Sequence, residues 1–250
     1  MERGEYERLA AAEERMWWFR ALHRNLILIW SAMAPAATDD GRSLRLLDAG
    51  CGTGGFLARL NAGGTAFCAG IDRDALACRF ARDKAGAAII QGSIDALPFA
   101  AMAFDAVFSA DVLCHSGVDQ QAALSEMRRC LRPGGLLVLN LPAYRWLFSA
   151  HDRAVDNARR YARDEVARLM AAAGFVRIRT SYWNTLLFPL MVARRKLGAN
   201  EASDVALLPQ PLEWLLAAAA AGESRLLARL FAWGLRLPFG GSILAAGVRP

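Results

Sequence analysis

The chain has 250 residues, of which 55% are hydrophobic and 22% are charged, and its formal net charge is +6. This composition predicts a folded globular protein and excludes extensive disorder. Arginine supplies nearly all of the positive charge, since Lys84 and Lys196 are the only lysines. The arginines are scattered along the chain instead of forming a basic patch, which argues against a nucleic-acid partner.

Cysteine usage and the N-terminal segment indicate the compartment. The five cysteines include no Cys-x-x-Cys pair, so the sequence predicts free thiols, a reducing environment and no metal site. The opening M-E-R-G-E-Y-E-R is too acidic for a signal peptide, and no run of 18 apolar residues predicts a spanning helix. We therefore expect a cytoplasmic protein.

Helix-forming residues dominate the N-terminal segment. Residues 5–34 predict one or two helices that end before Pro35, followed by a turn-rich linker at residues 36–43. We assign residues 1–40 to an N-terminal helical cap.

Strands and helices alternate beyond this cap. Near-continuous apolar segments with this alternation predict a parallel, doubly wound α/β sheet. The predicted strands are residues 44–49, 65–72, 87–91, 104–110 and 136–141. The predicted helices begin at Gly54 and span residues 73–83 and 120–130, the last one stopped by R-P-G-G.

The pattern changes after the fifth strand. A helix at residues 163–173 precedes a strand at 175–183, and a last strand is predicted at 242–248. Residues 184–237 between these two strands are helical, apolar-rich and interrupted by prolines. We interpret them as a helical insertion that forms a lid or a dimer face. The core domain then comprises residues 41–183 and 238–250.

The stretch L-L-D-A-G-C-G-T-G-G at residues 46–55 joins the first strand to the following helix. Gly50, Gly52 and Gly55 fit the G-x-G-x-x-G turn of dinucleotide-binding proteins. Gly50, Gly52 and Gly54 fit the acidic-x-G-x-G-x-G loop of S-adenosylmethionine enzymes equally well. The glycines alone therefore do not identify the cofactor.

Two aspartates accompany the loop. Asp72 ends the second strand, where a carboxylate accepts ribose hydroxyls in both cofactor classes. Asp48 precedes the first glycine, where it would repel a pyrophosphate at the helix N-terminus. Asp48 therefore favours a cationic ligand.

Three further motifs follow in the order G-S-I-D-A-L-P-F (92–99), F-D-A-V-F-S-A-D-V-L-C-H (104–115) and L-R-P-G-G-L-L-V (131–138). Together with the loop they resemble the class I S-adenosylmethionine-dependent methyltransferases, especially the small-molecule group called type 11. The resemblance covers about residues 44–141. It implies a Rossmann-like, mostly parallel seven-stranded sheet with an antiparallel last strand. It also implies S-adenosyl-L-methionine as methyl donor and S-adenosyl-L-homocysteine as product.

The resemblance further implies which residues hold the cofactor. The loop would hold the methionine part, and the carbonyl of Ala110 would accept from its amine. Many relatives have an aspartate where this chain has Ser93, so Asp95 becomes a second candidate for the adenine contact. The N-terminal helix would supply two wall residues. The implied cofactor contacts are Asp48, Ala49, Gly50, Cys51, Gly52, Gly54, Asp72, Arg73, Ser93, Ile94, Asp95, Ala110, Trp18 and Arg20.

The candidate catalytic groups follow from the chemistry of methyl transfer. A sulfonium is already activated, so a general base is needed only when the nucleophile arrives protonated. His115 follows the fourth strand and His151 follows the fifth, and Asp152 is placed to orient the imidazole of His151. Tyr144 and Tyr161 are candidate substrate contacts.

We expect methyl transfer to an O, N or C nucleophile of a small metabolite. W-W-F-R, residues 141–152 and residues 181–190 resemble a bacterial subgroup associated with secondary or sugar-related metabolism. Three alternatives remain. One is a membrane-associated methyltransferase acting on a lipid-linked substrate through the apolar segment 212–237. The others are an NAD-dependent oxidoreductase and a non-catalytic binding module that has kept the cofactor fold. A homodimer contact through the insertion is favoured over a membrane surface.

Overall fold

The computed structural model describes residues 7, 10–13, 15–34, 43–64, 66–196 and 209–250. Seven strands form one sheet in the order β3-β2-β1-β4-β5-β7-β6. They are β1 (Leu44–Ala49), β2 (Ala66–Asp72), β3 (Ala88–Gln91), β4 (Phe104–Ala110), β5 (Leu131–Pro142), β6 (Val176–Trp183) and β7 (Ser242–Val248). The pairs among β1 to β5 are parallel, whereas β7 is antiparallel to both β5 and β6. The predicted fold class is confirmed.

Helices cover both faces of this sheet. The described helices are α1 (Trp17–Met33), α2 (Gly55–Asn61), α3 (Ala75–Ala85), α4 (Gln120–Cys130), α5 (Ala150–Ala154), α6 (Arg163–Ala172), α7 (Phe188–Lys196) and α8 (Gln210–Ala232). Both α7 and α8 lie between β6 and β7, as predicted for the insertion. Among the described residues, no helix is long and apolar enough to cross a membrane.

The strands are buried on both faces because two hydrophobic clusters form, one on each side. Leu47 and Val107 pack with residues of α4 and α6. Leu46 and Phe108 pack on the opposite side with residues of α1, α2 and α8. Near-continuous apolar strands are the expected consequence of this two-sided burial.

The predicted start of β5 was wrong. Strand β5 begins at Leu131, five residues before the predicted start, so R-P-G-G lies inside the strand. Leu131 pairs with Phe104 and Leu136 pairs with Ala106, which leaves an irregularity between the two pairs. Gly134 adopts φ +77° there and donates its N–H to the carbonyl of Arg249. The proline and glycines therefore bend the strand instead of preceding it.

Two glutamates of α8 attach this helix to the rest of the molecule. Glu213 accepts a hydrogen bond from the backbone N–H of Trp17 at 2.7 Å. Glu223 accepts from the backbone N–H groups of Thr185 and Leu186 at 2.9 and 3.1 Å. Both carboxylates are buried, so α8 is fixed against α1 and against the segment that follows β6.

Candidate active site

The glycine loop lies at the carboxyl end of β1, where ligands bind in open α/β sheets. Gly50, Gly52 and Gly54 have φ values of +93°, +50° and +88°, which side chains rarely adopt. A Cβ at Gly50 would lie 2.2 Å from the Val112 side chain, and one at Gly54 would lie 2.8 Å from Ala81. A Cβ at Gly52 would meet no described atom within 4 Å. Packing therefore requires the outer glycines, whereas Gly52 borders open space.

Asp72 joins the loop to the end of β2. The N–H of Gly52 donates to Asp72 Oδ2 at 2.9 Å, and the N–H of Asp74 donates to Oδ1 at 3.0 Å. Burial raises the pKa of this carboxyl. Each carboxylate oxygen retains a lone pair, so Asp72 is oriented by the backbone and can still accept from ligand hydroxyls.

Asp48 is a buried carboxylate beside the loop. It is 3% exposed, and within the described residues it has no hydrogen-bond donor or cation paired with its side chain. Burial, followed by the nearby charges of Asp72 and Glu13, raises its pKa to about 8. Because an unpaired buried carboxylate is costly, a cationic ligand would stabilise its charged form.

The predicted adenine side contains a second unsatisfied acid. Ile94 is buried, and the Oγ of Ser93 accepts from the N–H of Asp95 at 3.3 Å. Asp95 Oδ2 accepts from the N–H of Asp119 at 3.4 Å, while Oδ1 is buried without a hydrogen-bond partner. Buried acceptors are normally satisfied, so Asp95 Oδ1 is free to accept from a ligand.

His115 follows β4 and interacts electrostatically with Asp72 at the end of β2. Burial lowers the pKa of His115 itself, and its Nδ1 lies 3.4 Å from the carbonyl oxygen of Asp156. Arg73 is exposed, and its guanidinium packs against Gly117. His115 is therefore neutral near pH 7 and able to accept a proton.

His151 lies in α5 and is half-buried. Its neighbour Asp152 is fully buried and accepts from the N–H and Oγ of Ser149, at 2.8 and 3.1 Å. Asp152 also accepts from Arg160 Nε at 2.9 Å. Asp152 thus caps the helix and pairs with a buried arginine, in addition to standing next to His151.

The two tyrosines that were predicted to contact substrate differ in their burial. Tyr161 is fully buried, donates to the carbonyl of Leu113 at 2.8 Å and accepts from Gln120. It belongs to the hydrophobic core, and its hydroxyl is engaged by protein groups. Tyr144 is half-buried at the end of β5 and stacks on Tyr182 with ring centroids 5.0 Å apart. Tyr144 remains a candidate contact.

The two wall residues of α1 also differ. Trp18 stacks on Trp183, the last residue of β6, at a centroid distance of 6.0 Å. Arg20 is exposed and lines a groove between α1 and α8 that also includes Trp214. The structure therefore brings Trp18 to the carboxyl edge of the sheet and sets Arg20 beside α8.

A hydrogen-bonded network at the same edge was missed by the sequence analysis. Asp111 follows β4 directly with φ +55°, and both of its carboxylate oxygens lie 3.0 Å from Asn140 Nδ2. Asn140 Oδ1 accepts from Trp183 Nε1 at 2.7 Å. Burial raises the pKa of Asp111 to about 7. A polar residue after a strand, opposite an asparagine within a buried strand, was the available signal.

Comparison with known proteins agrees with this geometry. Residues 47–139 match the family model described as "Methyltransferase domain". The chain is 40% identical over 103 residues to a malonyl-[acyl-carrier protein] O-methyltransferase of Erwinia pyrifoliae, covering 40% of this chain and 38% of that one. It is 31% identical over 141 residues to a fatty-acid O-methyltransferase of Mycolicibacterium smegmatis, covering 55% and 50% of the two chains.

A solved structure extends the likeness to the whole fold. An S-adenosylmethionine-dependent methyltransferase of Thermotoga maritima, described as a possible histamine N-methyltransferase, superposes with a TM-score of 0.59. The sequences are 17% identical, and the alignment covers 99% of this chain and 95% of that one. At this identity the likeness supports the fold alone.

The fold and the glycine-loop site are similar to those of the class I S-adenosylmethionine-dependent methyltransferases. Within that class, residues 47–139 form a methyltransferase domain of the type 11 family. The chain spans half or less of the two curated relatives.

Proposed function

We propose that this protein transfers a methyl group from S-adenosyl-L-methionine to an oxygen, nitrogen or carbon nucleophile of a small molecule. The observation that carries the proposal is the loop from Asp48 to Gly54, which combines open space at Gly52 with an unpaired buried carboxylate. Such a site suits a cationic ligand and disfavours a pyrophosphate. The sulfonium of the bound donor supplies an already activated methyl group.

Three acids would hold the donor in this proposal. Asp48 would stabilise the positive charge of the methionine part, together with the carbonyl of Ala110. Asp72 would accept from the ribose hydroxyls, since its backbone donors leave lone pairs available. Asp95 would accept from the adenine amino group, because its Oδ1 is buried without a partner. This role for Asp95 compensates for the serine at position 93.

The acceptor would lie at the carboxyl ends of β4 to β6. Tyr144 packs there with Tyr182, Trp146 and Phe188, at centroid distances of 5.0, 5.6 and 5.5 Å. These rings favour an apolar or aromatic portion of the acceptor. A fatty-acid O-methyltransferase among the relatives is consistent with such a substrate.

For a protonated nucleophile, we propose Asp111 as a general base alongside the predicted His115 and His151. Asn140 and Trp183 fix the carboxylate of Asp111 in one orientation. Its position directly after Ala110 brings it next to the proposed methionine contact. Burial also raises its pKa to about 7, which is suitable for accepting a proton near neutral pH.

Product analysis tests the proposed function. The purified protein is incubated with S-adenosylmethionine and pooled fatty acids, phenols, amines and sugar derivatives, and the products are examined by mass spectrometry. We expect at least one acceptor to gain one methyl group, with stoichiometric S-adenosylhomocysteine. Reduction of a nicotinamide cofactor by the same pools, without methylation, would instead support the oxidoreductase alternative.

A further inference from the structure

The solvent-exposed side of α8 has an unusual composition. The helix has 23 residues, which corresponds to a length of about 34 Å. Trp214 is 67% exposed, Leu215 66%, Leu226 50% and Trp233, directly after the helix, 80%. We define the outer face of α8 as the exposed residues Trp214, Leu215, Ala218, Gly222, Arg225, Leu226, Arg229 and Trp233.

The charged residues of α8 are segregated between its two sides. Glu213 and Glu223 are buried and accept hydrogen bonds from backbone N–H groups of α1 and of the segment after β6. Arg225 and Arg229 are exposed. The outer face therefore combines large apolar side chains with two positive charges and contains no acidic residue.

This composition argues against a second copy of the chain as the occupant. In a symmetric dimer the same patch contacts itself, so an interface between two outer faces would contain four arginines. The outer face supplies no carboxylate to neutralise them. Contact between apolar side chains would therefore be opposed by repulsion between like charges.

An anionic membrane surface fits both properties of the outer face. Amphipathic helices that lie in the membrane interface present tryptophan and leucine to the acyl boundary and arginine to the headgroups. Each arginine near an anionic leaflet adds favourable electrostatic energy. Tryptophan is also favoured at the level of the headgroups.

We propose that the outer face of α8 binds the surface of an anionic membrane, with the helix lying in the plane of the interface. The arginines contact lipid phosphates, while Trp214, Leu215, Leu226 and Trp233 enter the headgroup region. The buried Glu213 and Glu223 hold the helix rigidly to the fold, so binding requires no unfolding. This mode of binding differs from the dimer contact expected from the sequence.

Vesicle co-sedimentation of the full chain tests the proposal. Vesicles of phosphatidylcholine alone are compared with vesicles that also contain phosphatidylglycerol, each at low and high salt. We expect binding to the anionic vesicles that weakens with salt. The double variant Arg225→Gln/Arg229→Gln should reduce this binding about 10-fold or more.

A matched control removes the same charge elsewhere. Arg79 and Arg82 are exposed on α3, so Arg79→Gln/Arg82→Gln should leave vesicle binding within about twofold of wild type. Equal losses in both double variants would overturn the proposal, since they would indicate a net-charge effect. So would a wild-type dimer in sedimentation velocity that Trp233→Ser dissociates, or an absence of binding to anionic vesicles. Cofactor titration without vesicles tests the proposed function independently of membrane binding.

Discussion

The buried acids of the glycine-loop region and those of α8 differ in their hydrogen bonding. Glu213 and Glu223 of α8 are buried and accept hydrogen bonds from backbone N–H groups. Asp48 and Asp95 Oδ1 are buried near the loop, and no described donor satisfies them. Unsatisfied buried acids destabilise a fold. The comparison therefore distinguishes carboxylates that stabilise the fold from carboxylates that remain available to bind a ligand.

The largest effect should come from filling the space at Gly52. Gly52→Leu should weaken S-adenosylmethionine binding about 100-fold or more, because the side chain would occupy the cofactor space, and isothermal titration measures this loss. Gly64→Leu is a matched control, since Gly64 has φ +63° and also borders open space. Both variants carry a similar backbone strain of about 1–2 kcal/mol. Equal affinity for S-adenosylmethionine in the two variants would show that the cofactor does not bind at the loop.

The next largest effect concerns Asp111. If it accepts a proton during catalysis, Asp111→Asn should lower kcat about 100-fold, with little change in cofactor affinity. Wild-type kcat should rise with pH through about 7, because the base must be deprotonated, and this limb should vanish in the variant. Rates measured on the acceptor found by product analysis, compared with His115→Ala and His151→Ala, assign the base. A normal rate in Asp111→Asn would exclude it.

A smaller effect tests the contrast between unpaired and paired acids directly. The pKa of Asp48 is about 8 in the fold and 3.8 ordinarily, so the unfolded chain loses this proton first as pH rises. The free energy of unfolding without cofactor should therefore fall between about pH 4 and pH 8. Asp48→Asn should remove this dependence, raise stability at pH 8 and weaken cofactor binding about 10-fold.

Glu223→Gln should have the opposite effects on stability and cofactor binding to those of Asp48→Asn. Its carboxylate accepts from Thr185 and Leu186, so the variant should lose about 1–3 kcal/mol of stability and keep its cofactor affinity. Thermal unfolding measures the stability of Asp48→Asn and Glu223→Gln, and titration measures their affinity for the cofactor. If Asp48→Asn were the destabilised variant at pH 8 and bound cofactor normally, the distinction between the two kinds of acid would fail.

Most of the sheet could be predicted from the sequence because local signals determined it. Short apolar runs bounded by glycine, aspartate or proline predicted β1, β4 and β7 with their observed ends. The start of β5 could not be predicted in this way. It depends on pairing between Leu131 and Phe104, and on the bend at Gly134, which involve strands distant in sequence.

The residues of the site likewise differ in whether local sequence signals predict their positions. Asp48, Asp72 and the loop glycines are close in sequence or follow adjacent strands, so their proximity could be predicted. The network of Asp111, Asn140 and Trp183 joins residues from three separate strands, so the sequence showed their polar types but not their contact. Tyr161 was assigned to substrate because sequence alone did not reveal that its hydroxyl is satisfied within the core.

Titration of the full chain with cofactors tests whether the glycine loop binds S-adenosylmethionine. We expect saturable, single-site binding of S-adenosylmethionine that strengthens between pH 6 and pH 8 as Asp48 loses its proton, and no binding of NAD. In Asp48→Asn this increase with pH should be absent. Binding of NAD without binding of S-adenosylmethionine would exclude S-adenosylmethionine as the ligand of the loop.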